Sequence, residues 1–249
     1  MKTAVVVLKD ISLKHYVKKV NKVLKVVDVV LLNKKSKIKG DLYVAIGGDG
    51  TFLKAVALAK EKPVVGFYAG RMGFLTNFNL KNIEETLLKI KKGEILPSKR
   101  MRLKIGNNLA LNDIVINTQE VSLLEFEINV NKFTPLKFRA DGVIFATPTG
   151  STAYSLSAGG PIVMPDSNLI IITPIAAHSL VMRPIIIEPN ATIKVKVNFQ
   201  GAKPLLSIDG QAIRKIKNKE VLEITKGNDA LIYASQDFFK HLFDKLAKY

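Results

Sequence analysis

The chain has no cysteine and no tryptophan, and only three histidines in 249 residues. Without cysteine there is no disulfide, no thiolate nucleophile and no cysteine-built zinc site. His15, His178 and His241 are too few and too scattered for a metal cluster, so no dedicated metal site is expected. Long apolar runs are missing too. The N-terminal run is broken at Lys9 and Asp10, too short for a secretory signal, and reads as a buried first strand. The most apolar region, Leu169 to Ile187, is cut by Pro174, His178, Arg183 and Pro184 and fails as a membrane span. The expectation is a soluble, cytoplasmic protein with no membrane partner. Acidic residues are scarce, 21 against 38 basic ones, leaving a net charge of +17. Such a field attracts polyanions. The lysines, however, gather in short solvated pieces such as Lys34 to Lys39 and Lys89 to Lys92. A nucleic-acid surface would interleave them with exposed aromatics, so small phosphate-rich ligands are expected and nucleic acid is not. An apolar content of 47% suffices for one large domain or two modest ones.

The first hundred residues alternate strand-like and helix-like pieces: strands over 3–8, 26–32, 42–46 and 63–68, helices over 12–24, 52–60 and 83–92. Continuous Val/Ile/Leu strands between helices predict a mostly parallel sheet covered on both faces. Near Pro97-Ser98-Lys99-Arg100 the texture changes. Leu124 to Val130 and Thr192 to Val197 alternate apolar and polar residues, which predicts antiparallel strands with one wet face. The expected plan is an α/β N-terminal domain over 1–98 and a mainly β domain over 99–229. A C-terminal segment over 230–249 follows, whose helical stripe of Phe239, Leu242, Phe243 and Leu246 packs back on the first domain. No internal repeat or low-complexity segment interrupts this plan.

In a parallel sheet, ligands sit beyond the carboxyl ends of the strands. There the chain places Gly47-Gly48-Asp49-Gly50-Thr51, directly after Leu42 to Ile46. Glycines on both sides of Asp49 remove the Cβ atoms that would keep a phosphate or sugar hydroxyl off the backbone, and they permit the positive φ angles of a tight turn. Thr51 is expected to open an apolar helix whose first N–H groups face an anion, making Gly47, Gly48 and Thr51 a phosphate loop. Lys54, one helical turn beyond Gly50, points to the same place or into solvent. Asp49 suits a general base in phosphoryl transfer; an aspartate there also suits a turn or a helix cap. Asn112-Asp113 interrupts the apolar run from Leu109 to Ile116, which is costly unless a turn or a ligand bonds it. Thr147 to Thr152 crowds hydroxyls behind a strand over 143–146, a composition fit for ribose and phosphate oxygens. Tyr154 is ligand-facing or core; periodicity does not decide. His178 reads as a structural buttress, and Arg183 as a loop or interface residue.

The 22 residues from Asp141 to Ile162, with Thr147-Pro148-Thr149-Gly150-Ser151-Thr152-Ala153-Tyr154 at their centre, resemble the signature of the NAD kinase family nearly residue for residue. Leu111-Asn112-Asp113, Pro174 to Leu180 with Arg183-Pro184, and Asp209-Gly210-Gln211 agree in order and approximate spacing. The resemblance runs from Gly47 to Gln211, about two-thirds of the chain. It implies an α/β domain followed by a β-rich one with the ligand between them. It also implies transfer of phosphoryl from ATP or polyphosphate, with Mg²⁺ or another divalent cation on the nucleotide, to the 2′-hydroxyl of the adenosine ribose of NAD. Asp49 is then the catalytic base. Asn112 and Asp113 grip ribose hydroxyls, although many relatives carry glutamate at the second place. Ala153, Tyr154, Ser155, Leu156 and Ser157 line the adenine side, continuing from Thr152 at the end of the hydroxyl-rich stretch. Asp141 lies near the nicotinamide half, Arg139 meets the pyrophosphate, and Ala176 and Gln211 make further contacts; Gly50 and Lys54, from their own positions in the turn and helix, are placed on phosphate. A homodimer or homotetramer in which a neighbouring subunit supplies some contacts is implied too. The rival readings are a lipid or sugar kinase sharing the glycine-aspartate turn, and a non-catalytic nucleotide or nucleic-acid binder.

Overall fold

The computed structural model describes residues 2–34, 38–118, 120, 123–179, 181–201, 203–234 and 238–246. The chain divides into two compact units, Met1–Lys99 with Ala230–Tyr249, and Arg100–Asp229.

The first unit contains β1 (Thr3–Leu8), α1 (His15–Val23), β2 (Lys25–Leu31), β3 (Leu42–Gly47), α2 (Asp49–Ala59), β4 (Val64–Tyr68), β5 (Phe78–Asn79) and α3 (Ile83–Lys92). Strands pair in the order β2-β1-β3-β4, all parallel, and β5 pairs parallel with the end of β4. The expected mostly parallel sheet is therefore present. β1 and β3 are Val/Ile/Leu/Ala runs with nearly every residue buried, because helices cover both faces. Val20, Val23 and Leu24 with Ile83, Leu87 and Ile90 of α3 pack on Val6, Leu8, Val44, Ile46 and Phe67. On the alternate face α2 lays Phe52 against Gly66, where a Cβ would come within 2.5 Å of the ring. The first helix starts later than its periodicity suggests. Asp10 accepts the Ser12 N–H at 3.0 Å and caps a 3₁₀ turn over Ile11–Lys14, so the α-helix begins only at His15.

The second unit carries β6 (Ser98–Ile105), β7 (Asn108–Ala110), β8 (Asp113–Asn117), β9 (Leu124–Val130), β10 (Leu136–Ala140) and β11 (Gly142–Ala146). It continues through the short α4 (Tyr154–Ser157), β12 (Ile170–Ile175), β13 (Ile185–Ile187), β14 (Ile193–Asn198), β15 (Leu205–Ile208), β16 (Gln211–Lys215) and β17 (Val221–Tyr233). From Ala230 on, β17 belongs to the first unit, and there Ile232 and Tyr233 pair parallel with β4. One sheet runs β10-β9-β14-β17 with β6 and β7 beyond; the other runs β13-β12-β11-β8-β15-β16. Phe126, Ile128, Phe138, Val195 and Val197 of the first meet Ile114, Ile116, Val143, Phe145, Ile172 and Leu206 of the second.

Two expectations need correcting. The wet face holds for β9 and β14, which alternate buried and half-exposed residues, but β8, β11 and β12 are buried on both faces. Ala158, Val163 and Leu169 cover the outer side of Val115, Ile144, Ala146 and Ile171, so the segment after β11 roofs the sheet it follows. The C-terminal helix, α5 (Phe238–Leu246), belongs to the first unit, yet of its stripe Leu242 is buried while Phe239 and Phe243 are exposed. The side chain of Leu246 lies outside the described residues.

Candidate active site

The glycine-aspartate turn joins β3 to α2. Gly48 is the N-cap, with φ −102° and ψ −170°, and the helix opens at Asp49, two residues before the expected Thr51. Gly48 and Gly50 therefore do not supply positive φ. What they supply is room: a Cβ on either would meet nothing within 4 Å, leaving the backbone open to a ligand at the head of the helix, where the N–H groups of Asp49 and Gly50 have no carbonyl one turn back. Gly47 is different, since a Cβ there would come 2.4 Å from the Thr51 hydroxyl and 2.8 Å from Lys9 Cβ. The side chain of Thr51 is buried, its N–H donates to the Gly48 carbonyl at 3.0 Å, and it serves the junction's packing. Lys54 is half-buried on α2.

Asp49 is held by a loop the sequence did not single out. Its Oδ1 accepts the N–H groups of Leu75 at 3.0 Å and Thr76 at 3.1 Å and the Thr76 hydroxyl at 3.1 Å. Among the described residues its Oδ2 accepts only the Phe74 N–H, at 2.8 Å. Gly73 must lack a side chain because a Cβ would stand 1.8 Å from Oδ1. Asn77, next in the chain, has a buried Oδ1 without a partner among the described residues. Asp49 therefore fixes the loop over 73–76 rather than its own turn or the helix cap, and Oδ2, with one hydrogen bond among the described residues, has a lone pair for a further donor.

The second group of residues lies in the second unit. The Thr147 N–H donates to the Asn112 carbonyl at 2.9 Å, and the Thr147 hydroxyl donates to the Leu111 carbonyl. Gly150 lies flat against Asn112, whose carbonyl oxygen is 2.0 Å from where a Cβ would sit. The turn over 147–152 is thereby seated on Leu111-Asn112. Two polar atoms there, Asn112 Oδ1 and Thr149 Oγ1, are buried with no partner among the described residues. Orphaned buried acceptors are costly, and donors from a bound hydroxyl-rich ligand would satisfy them. Tyr154 and Ser157 are exposed beside this turn, and Thr152, Ala153 and Leu156 are half-buried. Ser155 faces inward, fully buried, with its hydroxyl 2.9 Å from that of Thr173. Its hydroxyl therefore serves the core rather than a ligand.

Asp113 is buried, and loss of hydration, with the neighbouring Asp209 carboxyl second, pushes its pKa up to about 7 from 3.8. Burial raises Asp209 as well, against the pull of three backbone N–H groups. A carboxyl that binds its proton more tightly folded than unfolded stabilises fully below about pH 4, and that contribution is lost as pH rises to about 7. Asp113→Asn should therefore raise the melting temperature at pH 8 by about 2 °C or more while changing it little at pH 4. Equal shifts at both pH values in thermal melts would contradict this.

Arg139, Asp141 and Ala176 stand apart from that group. β11 pairs Ala146 with Asp113 at one end and Gly142 with Ile175 at the other. At about 3.3 Å per residue the two ends are roughly 13 Å apart. At the Gly142 end the Asp141 N–H donates to the Ile175 carbonyl at 3.0 Å, and the His178 N–H to the Arg139 carbonyl at 2.9 Å. The Arg139 guanidinium is exposed and bound to Glu125 Oε1 through Nε at 2.9 Å and Nη2 at 2.6 Å. Ala176 is exposed with φ +48°, strained for a residue with a Cβ. Gln211 is exposed at the start of β16. Thr149 and Asp209 each sat inside a motif the sequence offered without being singled out as a site residue, and the Phe74–Thr76 loop, which holds Asp49, carried no motif at all. Among the described residues no group of three or more His, Asp or Glu could hold a metal, and no helix is long and apolar enough to cross a membrane.

Comparison with known proteins bears on both groups. Residues 7–95 match the family model of the ATP-NAD kinase N-terminal domain and residues 111–234 that of the C-terminal domain. The NAD kinase of Clostridium botulinum (strain Kyoto / Type A2) is 41% identical over 220 residues, covering 83% of this chain and 78% of that protein. The crystal structure of an NAD kinase from Archaeoglobus fulgidus in complex with ATP superposes with a TM-score of 0.85 at 29% identity, over 99% of each chain. A yeast NADH kinase complexed with NADH gives 0.86 over 100% of this chain and 88% of that one. At 24% identity it speaks to the fold alone.

Proposed function

Because the chain belongs to the NAD kinase family, and so is a kinase that acts on NAD, we infer that Asp49 takes the proton from the 2′-hydroxyl of the adenosine ribose as that oxygen attacks the donor phosphorus. The O2′–P bond forms, the bridging P–O bond to the leaving phosphate breaks, and the proton resides on the carboxylate. The donor is ATP or polyphosphate. A divalent cation such as Mg²⁺ arrives on the donor's phosphates rather than in a protein cage. Oδ2, which takes one hydrogen bond among the described residues and stands in the first turn of α2, supports this role, and the open backbone at Gly48 and Gly50 suits phosphate oxygens.

The observation that carries the NAD reading is the pair of unpaired buried acceptors, Asn112 Oδ1 and Thr149 Oγ1, beside the Asp113 carboxyl and an exposed tyrosine. Ribose hydroxyls supply the missing donors, and Tyr154 offers a flat face to the adenine. Arg139, Asp141 and Ala176, a β11 length away, serve the dinucleotide of a neighbouring subunit in a homodimer or homotetramer. A cytoplasmic site of action goes with these nucleotide substrates. A lipid or sugar kinase built on the same turn has no use for the residues from Asp141 to Ile162, and a non-catalytic binder has none for the free lone pair on Asp49.

A coupled assay offering ATP with NAD, a sugar phosphate or diacylglycerol tests the assignment. Transfer to NAD is expected to dominate, and a preference for either other acceptor would refute it.

A further inference from the structure

Asp209 opens the loop of the hairpin between β15 and β16. Ile208 pairs with Gln211 across the two-residue loop Asp209-Gly210, both at positive φ, 49° and 74°, the geometry of a type I′ turn. Asn-Gly builds that turn equally well, so turn chemistry does not call for a charge. The carboxylate has other work. Its Oδ2 accepts the Leu111 N–H at 2.9 Å, and its Oδ1 accepts those of Asn112 at 2.7 Å and Asp113 at 3.2 Å. The clasp closes in the other direction, with the Asp209 N–H donating to the Asp113 carbonyl at 3.0 Å. Three consecutive backbone N–H groups turned on one carboxylate form an anion-binding concavity, here filled from within the chain. The arrangement holds a second buried carboxyl close to Asp113, which costs stability. A residue needed only for its turn would not be kept there as an acid.

We propose that Asp209 is a positioning residue for NAD: by fixing the backbone of Leu111 to Asp113 it aims the Asn112 amide and the Asp113 carboxyl at the adenosine ribose. This rests on the NAD kinase reading above. The Asn112 side chain, with its unpaired Oδ1, has its backbone pinned from two sides, by Asp209 on the N–H and by Thr147 on the carbonyl. Loosening the first leaves the second as a pivot, so the error falls on where the side chains at 112 and 113 point.

Asp209→Asn keeps the turn but replaces one acceptor with an NH₂ facing backbone donors. In steady-state kinetics the KM for NAD should rise about ten- to hundredfold while the KM for ATP stays within about threefold, with a parallel loss of NAD affinity in calorimetry. An unchanged KM for NAD, with kcat and melting temperature falling together, would mean that Asp209 only supports the scaffold. If the asparagine variant does not fold, Asp209→Glu is measured instead. It keeps the charge but moves it by one methylene, and the same NAD-selective rise is expected; its absence overturns the proposal. Wild-type protein assayed alongside separates the two levels, because a wild type that does not phosphorylate NAD refutes the functional reading and not the clasp.

Discussion

Asp49→Asn should lower NAD turnover by on the order of 10²–10⁴, the usual share of a general base, with NAD affinity within about a few-fold. The geometry adds a cost that the sequence did not suggest. An asparagine keeps one oxygen, which can hold the Leu75 and Thr76 donors, but its NH₂ must then face the Phe74 N–H. One bond is lost and two donors oppose each other, worth about 1–3 kcal/mol of stability. The melting temperature should therefore drop along with kcat, and the two effects must be measured separately. Turnover that survives while only stability falls would reduce Asp49 to a clamp for the loop over 73–76.

The second large effect is expected at Gly150. All three atoms nearest to a Cβ there, at 2.0, 2.5 and 2.7 Å, are backbone atoms of Asn112, so no side chain can swing aside. Gly150→Ala must push the turn over 147–152 off Leu111-Asn112, straining the bonds that Thr147 makes to both carbonyls. Overpacking of this kind costs about 1–3 kcal/mol or more. It also moves Asn112 Oδ1 and Thr149 Oγ1, the acceptors assigned to ribose. The KM for NAD should rise at least tenfold or so, with a lowered melting temperature. A variant that melts lower yet binds NAD normally in calorimetry would remove the 147–152 turn from the binding site.

How much of this was legible depended on how local the cause was. The helix from Ile83 to Lys92 could be read to its ends, because its apolar spacing stops at Gly93, which takes φ +81° as a C-terminal cap. The strand from Leu124 to Val130 was equally plain from alternation alone. The start of α2 was misread because glycines are poor helix formers, yet Gly48 caps and Gly50 sits inside the first turn. Burial of β8, β11 and β12 on both faces depends on a roof from residues 158–169, which no strand pattern encodes. The site divides in the same way. Asn112-Asp113 announced itself as a polar pair in an apolar run. The partners of Asp49, 25 to 27 residues away, and the clasp of Asp209, nearly a hundred residues from Leu111, left no periodic trace. Backbone N–H donors look the same in every sequence.

General-base catalysis by Asp49 depends on where its carboxylate stands relative to the ribose that is to be phosphorylated. A crystal structure of the protein with NAD bound measures that directly. The prediction is Asp49 Oδ2 within about 2.6–3.2 Å of the 2′-hydroxyl, with Asn112 and Thr149 now hydrogen-bonded. A 2′-oxygen well beyond that reach, with Asp49 engaged only by Phe74, Leu75 and Thr76, would contradict it.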